Sequence, residues 1–479
     1  MFCQLFSLQN KSFLCLQHVE NKGFQTVIKH RLKAIQKPIK NELGNREKNT
    51  ENAHFVLKKC TFRFRDYTLV DKNSNIDKMK ILHTADWHLG QSLYGFDRLD
   101  EQRRFLGQLC EVVAEERPDA MVVAGDVFDI SMPSAAAQRA YAEGLLAIHA
   151  AVPEMVIVIV AGNHDSASRL EIYRNLWRSH NVFVIGTLRR LADNSADYSA
   201  HVVPVPGKGY IAAVPYVYPH NFPPADGDRQ QAFFQGLEKA VGEMNADGLP
   251  TVLAAHLAVL GCDLTGHRRM QNDSLGTVDY VELPTLGTAY DYIALGHIHH
   301  PQTLRGSDGR AAYSGSPIAV GFDERYQHGV VIVDLEKGKP VEARAIGIND
   351  PRPLVTLPSQ PAAFDDALAA AREFPADRKA YIRLNVLLDK PLPSDYNEQV
   401  AKALGGKACR YCTINVTDRR RSARANALPD VTPEQLRQMT VGEVAARFFA
   451  AKGIPEKESA DYLAMISGIE KEIEEENAL

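Results

Sequence analysis

Seven side chains able to hold a divalent ion stand in five short clusters along this chain of 479 residues, and each cluster follows an apolar run of strand length. The clusters are Asp86-Trp87-His88, Gly125-Asp126, Gly162-Asn163-His164-Asp165, His256 and Gly296-His297-Ile298-His299. The runs ahead of them, residues 79–84, 120–124, 155–160, 251–255 and 292–295, read as buried strands. In a layered α/β protein, loops at strand ends converge on one rim of the sheet, where sites are usually built. Carboxylates, imidazoles and one amide oxygen suit a borderline-to-hard divalent ion, Mn²⁺ better than a thiol-loving one. Seven ligands are too many for one catalytic ion with an open position. They fit two ions if one carboxylate bridges them, which points to a two-metal hydrolase.

The length suggests two or three domains at roughly 100–200 residues each. No run approaches the ~18 uninterrupted apolar residues of a membrane span, so no membrane association is expected. Seven cysteines, odd in number and scattered, give no disulfide framework. Cys409-Arg-Tyr-Cys412 is a lone pair without a second, so two strand cysteines are expected there and a reducing cytoplasm fits. Charge is uneven: residues 1–78 carry 15 Lys+Arg against 7 Asp+Glu, which leaves 40 against 52 for residues 79–479, a net of −12. A body this acidic does not hold nucleic acid by global attraction. It needs local basic patches, its metals or a partner.

Residues 1–78 have poor apolar periodicity and read as an atypical N-terminal extension, outside the native chain or disordered, with Met79 as the true start. A basic tail for nucleic acid is the other reading. From 79 to 346, strand runs alternate with helical patterns at 101–116, 135–150 and 230–245, which predicts a layered α/β domain; 310–314 and 329–335 read as later strands of the same core. A Pro-containing stretch, 350–361, leads into a smaller unit spanning 347–425. Its order is strand (354–357), helix (363–373), strand (381–387), helix (396–404), strand (413–417). In the tail, 426–479, Thr432-Pro-Glu-Gln435 and Thr440-Val-Gly-Glu443 match the capping box that opens a helix. Val441, Val444, Ala445, Phe448 and Phe449 form one apolar stripe; Gly453 and Pro455 end it, and Tyr462, Ile466, Ile469 and Ile473 stripe the next helix. Such a pair packs on its own domain or serves a partner.

Asp-x-His, Gly-Asp, Gly-Asn-His-Asp, a lone His and Gly-His-x-His, in that order, resemble the calcineurin-like metallophosphoesterases. Met79-Lys-Ile-Leu-His-Thr-Ala-Asp-Trp-His-Leu-Gly90, Leu93-Tyr94-Gly95, Gly125-Asp-Val-Phe-Asp129 and Tyr313-Ser-Gly-Ser-Pro317 narrow the likeness to the SbcD family of bacterial nuclease subunits. The resemblance implies a metallophosphoesterase β-sandwich flanked by helices, a small α+β capping domain over the site, and a helical tail that binds the coiled-coil root of an SbcC ATPase. It implies Asp126 as the bridging carboxylate. Asp86, His88 and His299 complete a first metal; Asn163, His256 and His297 complete a second; His164 is the catalytic histidine. Asp165 either orients His164 or caps the helix near 166–168. Some members carry a second histidine three residues after the bridging Asp, where this chain has Asp129, left unassigned. His83, His267, His300 and His328 match no motif and are expected to be structural or on the surface.

The implied activity is a metal-dependent DNA nuclease: ATP-dependent 3′–5′ exonuclease on duplex ends, endonuclease on single strands and hairpins, acting in replication, recombination and repair with two Mn²⁺ ions. A cytoplasmic, nucleoid-associated homodimer is implied, with helices near 135–150 at the dimer contact. No P-loop sequence occurs, so ATP dependence belongs to the partner. Arg98, Arg103 and Arg104, and Arg419-Arg-Arg421 with Arg424, are candidate phosphate contacts or solvated faces. The alternatives are a small-molecule phosphodiesterase or protein phosphatase of the same superfamily, and a catalytically silent scaffold for SbcC.

Overall fold

The computed structural model describes residues 78–266, 280–388, 390–418, 439–452, 454 and 459–468, within the unit Asn75–Leu479. The expectations for residues 1–77, His267, Arg419, Arg420, Arg421, Arg424, the Thr432 capping box, Gly453, Pro455, Ile469 and Ile473 lie outside the described residues.

Two six-stranded sheets form the larger part. The first is built on β1 (Lys78–Thr84), β2 (Ala120–Ala124), β3 (Val156–Val160) and β4 (Val182–Ile185), mutually parallel. The second holds β5 (Val202–Val205), β6 (Gly209–Val214), β7 (Thr251–His256), β8 (Tyr292–Gly296), β9 (Gln302–Thr303) and β10 (Ala311–Tyr313). The chain then returns to the first sheet as β11 (Gly329–Glu336), antiparallel to β1, and β12 (Glu342–Gly347). The strand orders are β12-β11-β1-β2-β3-β4 and β9-β10-β8-β7-β6-β5.

Burial explains why the sequence runs are continuously apolar rather than alternating. Ile81, Val122, Val158, Ile211, Val252 and Ala294 form a core between the sheets. The opposite face of the first sheet packs Leu82, Val123 and Ile157 against α1 (Leu99–Glu116) and α2 (Ala135–Ala151) through Phe105, Leu109, Leu145 and Ile148. The outer face of the second sheet packs Leu253, Ile293 and Leu295 against Phe233, Phe234 and Leu237 of α3 (Arg229–Met244). Each central strand is covered on both faces, so both residue parities are apolar. The architecture is the expected helix-flanked β-sandwich. Ser134 and Asp228 accept backbone N–H bonds at the starts of α2 and α3, fixing where those helices begin.

The smaller unit alternates strand and helix: β13 (Leu354–Ala362), α4 (Phe364–Glu373), β14 (Tyr381–Leu388), α5 (Tyr396–Leu404) and β15 (Arg410–Asp418), with all three strands parallel and β14 central. The edge strand β13 extends the expected strand 354–357 through the rest of the Pro-containing stretch. Its register shifts between Leu357 and Ala362, where Pro358 and Pro361 lack the N–H that a regular ladder needs. In the tail, Thr440 and Glu443 form the reciprocal capping box that opens α6 (Val441–Lys452). Phe449 of α6 lies 5.6 Å from Tyr462 of the helical stretch 459–468.

Candidate metal centre

The five clusters leave the C-terminal ends of β1, β2, β3, β7 and β8 and meet where the two sheets face each other. Asp86 N–H donates to the Gly125 carbonyl at 3.0 Å and His88 N–H to the Asp126 carbonyl at 3.0 Å, so the first two loops run side by side. His297 N–H donates to the Asp86 carboxylate at 3.0 Å, tying the second sheet to the first. Asp86, His88, Asp126 and His297 all hold positive φ (54°, 45°, 47° and 97°). That conformation is uncommon outside glycine and costs about 1–3 kcal/mol per residue, a strain that persists only where the surroundings over-determine it. Glycines make the close approach possible. A Cβ on Gly125 would meet the His256 ring at 2.2 Å, one on Gly162 would meet Asp126 Oδ1 at 2.1 Å, and one on Gly296 would meet the Ala124 carbonyl at 1.9 Å.

The seven side chains converge. His88 Nε2 lies 3.1 Å from His299 Nε2 and 3.7 Å from Asp126 Oδ2, while His256 Nε2 lies 3.6 Å from the same Asp126 oxygen. Asn163 Oδ1 sits 3.0 Å from His256 Nε2 and 2.9 Å from His297 Nδ1. The far sides of the rings are anchored. His256 Nδ1–H donates to the Ala124 carbonyl at 2.8 Å and His299 Nδ1–H to Glu324 Oε1 at 2.8 Å. These anchors fix the tautomers and turn the Nε2 lone pairs inward. Burial lowers the basicity of both rings, for His299 well below the usual range with His88 adding to the effect. His256 Nε2 thus faces Asn163 Oδ1 as one acceptor against another, a contact that a cation between them resolves.

The carboxylates have the complementary character. Asp86 and Asp126 are fully buried; burial, reinforced by Asp126, raises the Asp86 carboxyl well above the usual range. Burial works the same way on Asp126, but the neighbouring His256, His88 and His164 outweigh it and hold that group low. Burial would also lower His88, yet Asp129, Asp126 and Asp86 raise it to about 9. The cluster therefore retains a proton on His88, as a site with excess negative charge does. The donor set fits divalent cations. Asp86, His88 and His299 also place one ligand atom each within 4.8 Å of one another, as do Asp86, Asp126 and His256.

His164 lies at the rim. Its Nδ1–H donates to the Asp129 carbonyl at 2.7 Å, its ring centroid is 4.9 Å from that of His88, and its backbone N–H donates to Asp126 Oδ1 at 2.9 Å. Asp165 neither orients this ring nor caps a helix. Its oxygens accept N–H bonds from Gly162, Val127 and Phe128, clasping the second and third loops together. Asp129 is the residue that touches both histidines, through its carbonyl to His164 and through Oδ1, 3.3 Å from His88 Nδ1.

Two further residues escaped the sequence reading. Glu324 holds His299, and Gln102 donates to the His88 carbonyl at 2.6 Å while accepting from Gly90 N–H at 2.8 Å. Neither lies in one of the five clusters that follow an apolar run, and only the fold brings them in. His83 is structural, bonded to Tyr292 Oη and the Leu295 carbonyl. Arg98 is not available to a phosphate: it is fully buried, donating to Gln91, the Ala319 carbonyl and Asp350. A cleft of about 1000 Å³ opens over the cluster, lined by His88, His164, Tyr216, His297, Phe322 and Arg383 among others. Tyr216 tilts over His297 at 6.1 Å and meets Tyr218 at 5.3 Å, and the half-exposed Tyr218 stacks on His220.

Comparison with known proteins agrees with this geometry. Residues 79–301 match the calcineurin-like phosphoesterase family, and residues 350–453 match the type 5 capsule protein repressor C-terminal domain. The chain is 33% identical over 385 residues to the SbcD subunit of the SbcCD nuclease of Rhodobacter capsulatus, covering 75% of this chain and 93% of that one. The corresponding Bacillus subtilis nuclease subunit is 33% identical over 291 residues, covering 58% and 71%. That of Escherichia coli K12 is 26% identical over 401 residues, covering 79% and 95%. The chain belongs to the SbcD family of nuclease subunits within the calcineurin-like phosphoesterases.

Proposed function

We propose that this nuclease subunit cuts DNA phosphodiesters at a pair of Mn²⁺ ions and does so in complex with an SbcC-type ATPase. The observation that carries the reading is the inward convergence of four imidazoles, an amide oxygen and two buried carboxyl groups between the sheets. Asp126 would be shared between the ions; Asp86, His88 and His299 would hold one, and Asn163, His256 and His297 the other. Such ions supply an activated water and neutralise charge on the phosphoryl oxygens. The protein's own part is to hold the donors rigidly and to present His164. With Nδ1–H tied to the Asp129 carbonyl, His164 Nε2 is the ring nitrogen left to face the substrate, and as the imidazolium it donates to a phosphate oxygen or to the departing sugar oxygen.

Tyr216, Tyr218 and His220 offer aromatic faces leading away from the cluster, and bases stack on such faces without sequence preference. The stripe of α6, with Phe448 and Val441 exposed, supports the tail as the surface for the ATPase partner. Duplex-end digestion driven by ATP, hairpin cleavage and a homodimeric nuclease belong to the same proposal. Among the described residues no helix is long and apolar enough to cross a membrane.

The test is cleavage of a labelled DNA hairpin with Mn²⁺ or with EDTA, with and without the ATPase partner and ATP, beside His164→Ala and Asp126→Ala. Metal-dependent cutting that both variants lose, and that partner plus ATP extends to duplex ends, supports the reading. Hydrolysis of bis-p-nitrophenyl phosphate with no DNA cleavage in any mixture would favour a small-molecule phosphodiesterase instead.

A further inference from the structure

The central strand of the smaller unit sends two buried side chains toward the two histidines of the first ion group. Tyr381 and Arg383 are two residues apart on β14 and therefore project from the same face. Arg383, 4% exposed, donates to Asp323 Oδ1 at 2.9 Å and to the Phe322 carbonyl at 3.1 Å, with its guanidinium 5.0 Å above the Phe322 ring. The next residue along that loop is Glu324, whose Oε1 accepts from His299 at 2.8 Å while Oε2 accepts from Val320 N–H at 2.9 Å. Tyr381, fully buried, donates to Glu101 Oε1 at 3.2 Å, and Arg352 lies 3.2 Å from the same oxygen. Beside Glu101 stands Gln102, which grips the His88 loop at two backbone atoms. A third clasp joins the routes: Arg98 holds Asp350, Gln91 and the Ala319 carbonyl, and Gln91 donates to the Val320 carbonyl at 3.0 Å.

We infer that Arg383 and Tyr381 are positioning residues for the metal centre, setting His299 and His88 through Asp323–Glu324 and Glu101–Gln102. Docking of the smaller unit is then part of what builds the first ion site. The chemistry is that of an outer layer around ligands: a bidentate guanidinium fixes a loop, the loop's carboxylate fixes an imidazole, and the imidazole fixes the ion. A lysine at 383 supplies a point charge without the fork, and so cannot hold Asp323 and the Phe322 carbonyl together. The inference rests on the two-ion reading, and its test separates the two.

The measurement is calorimetric titration of the full chain with Mn²⁺, alongside thermal melts without metal. The wild type is expected to take up two ions. Arg383→Ala is expected to weaken one of them about 10- to 100-fold and leave the other near its wild-type affinity. Arg383→Lys should recover part of the loss. Asp323→Asn, which removes the charge that Arg383 pairs with, and Tyr381→Phe, which removes the hydroxyl bonded to Glu101 and Arg410, keep the packing; they should weaken the same ion severalfold and carry the test should Arg383→Ala not fold. A structural role alone would lower the metal-free melting temperature and weaken both ions together. That result, or wild-type affinity for both ions in folded variants, overturns the inference. A wild type that takes up no Mn²⁺ overturns the two-ion reading itself.

Discussion

Gly296→Ala is a one-carbon change that should disable the centre without touching a ligand. The added Cβ would lie 1.9 Å from the Ala124 carbonyl oxygen and 2.9 Å from Ala85 Cβ. A carbon against a carbonyl oxygen settles at about 3.3 Å or more, so β8 must withdraw from β2 by roughly 1.4 Å at the point where the two sheets touch. The Ala124 carbonyl is also the acceptor for His256 Nδ1–H, and His297 follows Gly296 directly. The shift therefore moves His256 and His297, the side chains proposed to hold an ion with Asp126. Overpacking costs about 1–3 kcal/mol, and a weakened hydrogen bond adds about 1 kcal/mol. A fall in melting temperature of roughly 5–15 °C follows at about 2–4 °C per kcal/mol. A displacement near 1 Å at a reacting centre costs about 10²-fold in rate. The assay is Mn²⁺-dependent cleavage of a labelled oligonucleotide, with melts in EDTA. Gly107→Ala is the control: in the middle of α1 its Cβ meets nothing within 4 Å, and a helical Gly→Ala gains about 0.5–1 kcal/mol. Wild-type cleavage and stability in Gly296→Ala would refute the claim that this glycine sets the spacing of the sheets at the site.

Three further outcomes follow from groups already described. His88 is held protonated up to about pH 9 by its carboxylates, so uptake of an ion must expel that proton; Mn²⁺ affinity should rise by at least about tenfold per pH unit between pH 6 and 8, with at least one proton released in calorimetry across buffers of different ionisation enthalpy, the raised Asp86 carboxyl adding to the count. His83 is lowered to about 3 by burial against an unfolded value of 6.5, so its neutral form favours the folded state fully above pH 6.5 and that stability is lost as pH falls toward 3. Between pH 4 and 6, metal-free wild type should lose about 1.4 kcal/mol more per pH unit than His83→Phe in urea melts, the slope of one proton. Tyr218→Ala should weaken single-strand binding by about 1–3 kcal/mol, the worth of one stacked base, with Mn²⁺ uptake unchanged; fluorescence anisotropy of a labelled oligonucleotide in Ca²⁺ reads it.

The strands were legible because a strand covered on both faces has no polar parity to interrupt it. The expected run 120–124 coincides with β2, and 292–295 falls one residue short of β8. The ligand clusters were legible because each directly follows such a run. Strand ends place them on one rim whatever the details of the loops. Helices were legible from their stripes and caps, down to the Thr440–Glu443 pair. Only residues 354–357 of the edge strand β13 are legible as strand, because Pro358 and Pro361 count against its continuation. At an edge, one missing N–H costs little.

What stayed hidden is the layer behind the ligands, and the reason is distance along the chain. Glu324 reaches His299 across 25 residues and Tyr381 reaches Glu101 across 280. No periodicity or spacing connects such pairs, and an isolated Glu or Arg reads as a solvated surface residue. Arg98 shows the error this invites. Next to the first motif an arginine looks like a phosphate contact, but burial and Asp350, 252 residues away, make it a strut between the sandwich and the smaller unit. Asp165 fails in the same manner, since two of its three partners are backbone N–H groups of another loop. Donors that meet a metal must be of a few types at strand ends, so sequence exposes them. Groups that hold those donors need only a carboxylate, amide or guanidinium at the right point in space, and many places in the chain can supply one.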